Sequence, residues 1–316
     1  MEGWVARGAA KLVDRDRLRA LSARSDLRGG LQTASVLGAL GLTTGALILS
    51  PAANLTLLGP ALLVHGVLLN CLYAGQHELS HWTVFKTRWL NDAFGHVFGF
   101  ATLNPFLTDR WMHFAHHQAT QDPARDSELI GMKPYNVGRY LLDLTGVGFW
   151  RRRVMAIVGA ALGRGLEDAW WLEADQRGVV VWEGRLYVGL WALIAGTSLA
   201  LQSGAALLFW LGPLLATKAF HQLQNTGEHT EMPQVADIFQ NTRTLTGPAP
   251  MRWLLWNMSY HTAHHAYPGV PFHALPRLHA EIVRNLPHPV VTLGYIEAQR
   301  AILESLNRRA AAQIGA

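Results

Sequence analysis

Cysteine and charge are what this sequence has least of. One cysteine, Cys71, stands in 316 residues. It allows no internal disulfide and no iron–sulfur cluster built on a set of thiolates. Charged residues make up 16% of the chain, against roughly 25% in an ordinary soluble domain, and half of the chain is apolar. A disordered chain, a coiled coil and a small disulfide scaffold are excluded, and a membrane protein is indicated.

The scarcity of charge is concentrated. No Asp, Glu, Lys or Arg occurs from Gly29 to His77, a run of 49 residues. A span takes about 20 residues, so this run holds two. It breaks at Ser50-Pro51-Ala52-Ala53-Asn54, a turn-like cluster. Spans are predicted near 31–50 and 55–73. A second uncharged run, Leu186 to Thr217, covers 32 residues and breaks at Gln202-Ser203-Gly204. Spans follow near 186–201 and 205–220, their ends recruiting Val179–Trp182 and the stem of Lys218.

Two hairpins put both termini and the long middle segment on one side. Every Lys and Arg then falls on that side, which marks it as cytoplasmic. Residues 1–28 read as a cytosolic segment rich in Arg, from Arg7 to Arg28, with no apolar core of a cleaved signal. Segments 77–180 and 221–316 are cytosolic or interfacial. Within them Ala93–Leu107 and Tyr140–Leu166 are apolar but interrupted, as in helices lying in the interface. The net charge of +5 follows from this topology and calls for no nucleic acid. The predicted fold is a single all-α integral membrane domain of four transmembrane helices in two hairpins. A cytosolic helical cap completes it, in an inner membrane with the site facing the cytoplasm.

What the chain has in excess is histidine, 15 residues, most of them clustered. His77-Glu78-Leu79-Ser80-His81 follows the second span. His113-Phe114-Ala115-His116-His117 comes next, then His229 just past the fourth span, then His261-Thr262-Ala263-His264-His265. On a helix, residues three and four apart share a face, so HxxxH and HxxHH can turn their imidazoles toward one metal. A single HxxxH arises by chance; three clusters with HxxHH twice do not. Imidazole suits Fe, Zn, Cu and Ni, and a thiolate-free site of nine His suits oxygen-activating iron better than structural zinc. A zinc hydrolase would leave most of these His unused, and a metal transporter would carry its ligands at mid-membrane. His65, His96, His273, His279 and His288 read as packing or surface residues, while His221 lies close to the face of His229.

HELSH, HFAHH and HTAHH resemble the three histidine boxes of the membrane fatty acid desaturase and hydroxylase superfamily. The likeness runs from about Leu31 to Leu286. His264–His279 is similar to the region after the third box in bacterial desaturases and carotenoid ketolases. His77–Asn91 resembles bacterial desaturase-like proteins, the rhizopine oxygenase type included. Alkane hydroxylases, with other motifs around their boxes, fit less well. The resemblance implies a cytosolic site of two iron ions using O2 as co-substrate. It assigns as ligands His77, His81, His113, His116, His117, His229, His261, His264 and His265. It also implies that Asn225, four residues before the isolated His229, holds a metal-bound water.

Glu78, Asp109, Asp122, Asp126, Glu228 and Asp237 are candidates for orienting the ligands, with His221 beside them. Desaturation of a fatty-acyl or related lipid chain is the first expectation. Hydroxylation or ketolation of a carotenoid, another lipid or a small amine-bearing compound is the alternative. No rubredoxin or ferredoxin cysteines and no HPGG haem motif are present, so the electrons are expected from a separate donor of ferredoxin, rubredoxin or cytochrome b5 type. Arg110, Arg125, Lys133, Arg139 and Arg151–Arg153 form a basic surface suited to docking it.

Overall fold

The computed structural model describes residues 4–6, 8–50, 55–129 and 135–314. The expectations placed on Arg7, on the Pro51–Asn54 turn and on Lys133 lie outside the described residues. The helices are α1 (Arg15–Leu21), α2 (Asp26–Leu49), α3 (Leu55–Ser80), α4 (Arg88–Ala101) and α5 (Phe106–Ala119). Then come α6 (Val137–Leu144), α7 (Val147–Ala161), α8 (Ala174–Ala200), α9 (Gly212–Ala216) and α10 (Lys218–His229). The last are α11 (Ile238–Asn241), α12 (Ala249–Leu254), α13 (His261–Ala266), α14 (Leu275–Asn285) and α15 (Tyr295–Ile314). Two short strands, β1 (Thr244–Thr246) and β2 (Thr292–Gly294), pair in parallel with Leu245 opposite Leu293.

Among the described residues, three helices are long and apolar enough to cross a membrane: α2, α3 and α8. Their apolar surface is left open: Leu31, Leu42 and Ile48 on α2 and Leu186, Leu193 and Leu199 on α8 are exposed, as lipid-facing side chains are. Helix α3 is the most enclosed, 44% of its apolar window being buried against 17% and 22% for α2 and α8. It is therefore the central post. Its 26 residues rise about 39 Å, more than the roughly 30 Å of a hydrocarbon core. The first histidine box occupies the surplus turn, so span and site share one rigid rod.

The expected fourth span is a broken helix. After the Gln202 turn the chain forms a π-helical turn over Leu207–Leu211, then α9, then a break at Thr217 before α10. Pro213 is the cause, because it has no N–H to give to the Phe209 carbonyl. His65 Nε2 takes that place at 2.8 Å. Asn70 Nδ2 likewise donates to Leu214 O at 2.8 Å and to Thr217 Oγ1 at 2.9 Å. These polar residues of α3 satisfy the carbonyls that the break sets free. The contact is close: a Cβ on Gly66 would stand 2.4 Å from Pro213 O. The third predicted span is longer than expected, since α8 begins at Ala174.

Helix α8 also fixes α5. The buried Glu183 carboxylate accepts from the Leu107 and Thr108 amides at 2.9 Å each and from Thr108 Oγ1 at 2.7 Å. It caps the N-terminus of α5 from another helix, because Pro105 in the capping position has no side-chain acceptor. At the opposite edge the N-terminal segment lies over the region after the third box. Ala6 N donates to Ala266 O at 3.0 Å, Tyr267 donates its hydroxyl to Ala9 O, and Asn285 Nδ2 donates to Leu12 O at 2.7 Å. Ala6, Ala9 and Val13 are buried there with Leu275, Leu278 and Ile282.

Gly66→Ala is expected to destabilise the detergent-solubilised protein by about 1–3 kcal/mol through overpacking. Gly38→Ala, where an added Cβ meets nothing within 4 Å, is expected to leave the thermal denaturation midpoint unchanged or raised. Equal midpoints for the two variants would contradict the close α3–α9 contact.

Candidate metal centre

Four helical pieces deliver the nine histidines. His77 lies in the last turn of α3 and His81 just past its end; His113, His116 and His117 come from α5. His229 ends α10, and His261, His264 and His265 line the short α13. All but His229, which is half-buried, are buried. The Nε2 atoms turn inward in two groups. His113 Nε2 lies 3.1 Å from His81 Nε2 and 2.8 Å from His117 Nε2, which lies 3.2 Å from His264 Nε2. With His77, these five rings bring ring nitrogens within 4.8 Å of one another. His116, His229 and His265 form the second group. His261 joins it, its Nε2 being 2.9 Å from His229 Nε2 and 3.0 Å from His265 Nε2.

These spacings test whether a metal fits. Nitrogens about 2.1 Å from a common centre stand about 3.0–3.4 Å apart in octahedral or tetrahedral arrangement. The observed separations match edges of such a polyhedron. Hydrogen bonding does not account for them, because each neutral imidazole has one proton to share and five rings converge in one group. Both nitrogens of His77 are buried with no hydrogen-bond partner. Nine imidazoles in groups of five and four can hold metal ions.

Several of the outward Nδ1 atoms face acceptors. Glu78 Oε1 lies 3.4 Å from His264 Nδ1 and 3.8 Å from His77 Nδ1. Asp126 Oδ1 lies 2.8 Å from His116 Nδ1, and Glu228 Oε1 lies 3.4 Å from His261 Nδ1. Thr120 Oγ1 is 3.2 Å from His265 Nδ1, and Asn241 O is 3.2 Å from His229 Nδ1. Such partners fix ring orientation and raise ligand basicity. Asp126 is itself braced by the Gln121 and Glu128 amides, at 2.8 and 2.9 Å. Burial holds His113, His117, His261, His264 and His265 well below the ordinary imidazole range, and burial beside His116 takes His229 down to about 4. They are thus in the neutral form that binds metal. His116 is the exception: burial lowers it, but Glu128 and Asp126 outweigh that and raise it to about 9. Burial pushes Glu228 up to about 8.

Of the acids expected to orient ligands, the fold brings in Glu78, Asp126 and Glu228. Asp109 instead faces Arg153 Nη1 at 3.8 Å, Asp122 pairs with Arg125, and Asp237 caps α11. The sequence reading missed Glu128, which touches both groups: Oε1 is 3.4 Å from His113 Nδ1 and Oε2 3.9 Å from His116 Nδ1. Its only signal is its place two residues after Asp126, in the loop that the second box leads into. His221 meets no member of the groups; its Nδ1 lies 3.0 Å from Lys218 Nζ and its ring packs on Tyr73. Asn225 is exposed and makes no hydrogen bond among the described residues. The basic surface is smaller than expected, because Arg110 is buried against Asp92 at 2.6 Å and stacks on Trp82 and Phe106.

Residues 12–296 match the family model for fatty acid desaturase. The chain belongs to the fatty acid desaturase family. No curated protein matches it. The match takes in every one of the nine clustered histidines and the three apolar helices, so this desaturase-family chain carries both imidazole groups inside the matched region.

Glu128→Gln keeps the shape of the side chain and removes the charge that His113 and His116 share. It is expected to weaken metal affinity about 10- to 100-fold with the circular dichroism of the fold retained. Competition with a chromophoric chelator measures this, and an unchanged affinity would remove Glu128 from the centre.

Proposed function

We propose that the protein is a membrane-bound non-haem di-iron oxidoreductase that uses O2 and two electrons on an unactivated C–H bond of a fatty-acyl or related lipid chain. The observation that carries this reading is the pair of adjoining imidazole groups, five and four, with no thiolate among them. Iron bound there supplies the oxidising power that side-chain acid–base chemistry lacks. The nine histidines hold the ions, and Glu78, Asp126, Glu128 and Glu228 orient the rings. Glu128 ties His113 of one group to His116 of the other, so the two groups keep a fixed separation. Burial of the histidines excludes water from the reaction.

Desaturation is the first reading, and it takes a second hydrogen from the neighbouring carbon. Hydroxylation or ketolation is the second, favoured by the polar Tyr73 and Asn225, each one turn from a clustered histidine, which suit a substrate bearing oxygen. The four-span arrangement, with α9 and the turn before it as the last crossing and the site toward the cytoplasm of an inner membrane, belongs to this proposal. A separate electron carrier of ferredoxin, rubredoxin or cytochrome b5 type belongs to it as well, since Cys71 alone provides no cluster ligands.

Protein purified from iron-replete cells is expected to hold about two iron ions per chain. Mass spectrometry of lipids from expressing cells is expected to show products that have lost two hydrogens or gained one oxygen. His229→Ala removes product and lowers iron content, while His288→Ala, 4.0 Å from Asp237 and outside both groups, leaves both near wild type. One zinc per chain with full turnover after iron is stripped would overturn the reading.

A further inference from the structure

Two residues break the burial pattern of the helices that carry the site. On α10, the residues that flank Asn225 on its own face are His221, Gln222, Glu228 and His229. The first three are buried and His229 is half-buried, yet Asn225 is exposed. On α3, Leu69, Asn70, Gln76 and His77 flank Tyr73 and are all buried, yet Tyr73 is accessible in part. Each leaves open space beside an otherwise buried helix face. The two are joined through His221, whose ring lies 5.0 Å from that of Tyr73. Tyr73 is one turn from His77 of the first histidine group, and Asn225 one turn from His229 of the second. The space therefore adjoins both.

The groups around it are donors without acceptors. The buried Lys218 Nζ lies 3.0 Å from His221 Nδ1. Nζ and Nδ1 share one hydrogen bond, so His221 Nε2 is left over. No group among the described residues bonds that nitrogen, the Tyr73 hydroxyl or the Asn225 amide. Trp150 Nε1 is buried with no partner, and Lys218 Nζ lies 5.4 Å from its ring centroid and 3.7 Å from that of Phe149. No carboxylate among the described residues pairs with Lys218. The nearby acids are committed, Asp109 to Arg153 and Asp143 to Arg152, Tyr135 and Gln222. A buried lysine with no carboxylate beside it, next to unpaired N–H and O–H groups, is a setting that a bound anion satisfies.

We propose that this space is the substrate chamber and that Lys218, His221 and Tyr73 bind a carboxylate carried by the substrate itself. The inference rests on the oxidoreductase reading above and names its substrate class. His221 and His229 are eight residues apart in α10, about 12 Å along the axis. The oxidised carbon thus lies within about that distance of the acid group. The substrate is then a free carboxylic acid and not an ester of one, because only the free acid offers a charged oxygen to Lys218.

Calorimetric titration of the detergent-purified, metal-loaded full chain with octanoate and with methyl octanoate tests this. The wild type is expected to bind the acid about tenfold more tightly than the ester, or better, because the ester forfeits the buried charge pair. Lys218→Met removes that preference and leaves ester affinity unchanged; Tyr73→Phe reduces it by a smaller factor. Equal affinity of acid and ester for the wild type, a comparison that needs no variant, overturns the proposal, as does a full preference surviving in Lys218→Met. Iron content measured on the same samples separates the two readings. Two irons with no acid preference sinks the chamber assignment alone, and an acid preference in protein that takes up no iron sinks the di-iron reading alone.

Discussion

Nine imidazoles crowded nitrogen to nitrogen are the constraint on which the rest of the structure depends. Lone pairs about 3 Å apart repel unless a proton or a cation stands between them. The proton supply is too small for groups of five and four. The surroundings are arranged for cations instead. Four carboxyl groups, Glu78, Asp126, Glu128 and Glu228, stand behind the rings. None sits in the inner layer, where a carboxylate would compete with imidazole. Each lies on the Nδ1 side and acts through a ring.

The scaffold that holds this crowd is built from helix ends fixed by distant residues. Box one is the last turn of a membrane-length rod and cannot move independently of it. Box two is aimed by Glu183 of α8, which caps α5 across the fold. Box three lies on a helix of six residues that could not form alone; packing of Ala263, Ala266 and Tyr267 against the N-terminal segment and α14 supports it. The break at Pro213 belongs to the same design. It ends the apolar run and starts α10 afresh, and His229 is that helix's last residue.

Much of this was legible in the amino-acid sequence, and the reasons for the rest are physical. Spacing at helical periods brought out the histidine boxes, and runs free of charge brought out α2, α3 and α8. Hydropathy alone does not register that Pro213 divides the fourth run, because the residues that repair the break, His65 and Asn70, are remote in sequence and look like isolated polar residues in a span. Glu128 was missed because its partners lie on α5, reached only once the loop after it folds back. Asn225 shows the opposite case. Its spacing from His229 suggested a role, but only the fold shows that it is open while His221, Gln222 and Glu228 beside it are buried.

The tie between the N-terminal segment and the region after the third box has a bearing on the order of synthesis. Ala6 bonds to Ala266, and Asn285 reaches Leu12. Leu12 must wait for Asn285, 273 residues later in synthesis, and a closure over such a sequence distance is slow. Trp4, whose ring stands 6.1 Å from that of His117, is part of this last piece. The metal centre is therefore sealed late in folding, and ions have an open route to the histidines until it closes.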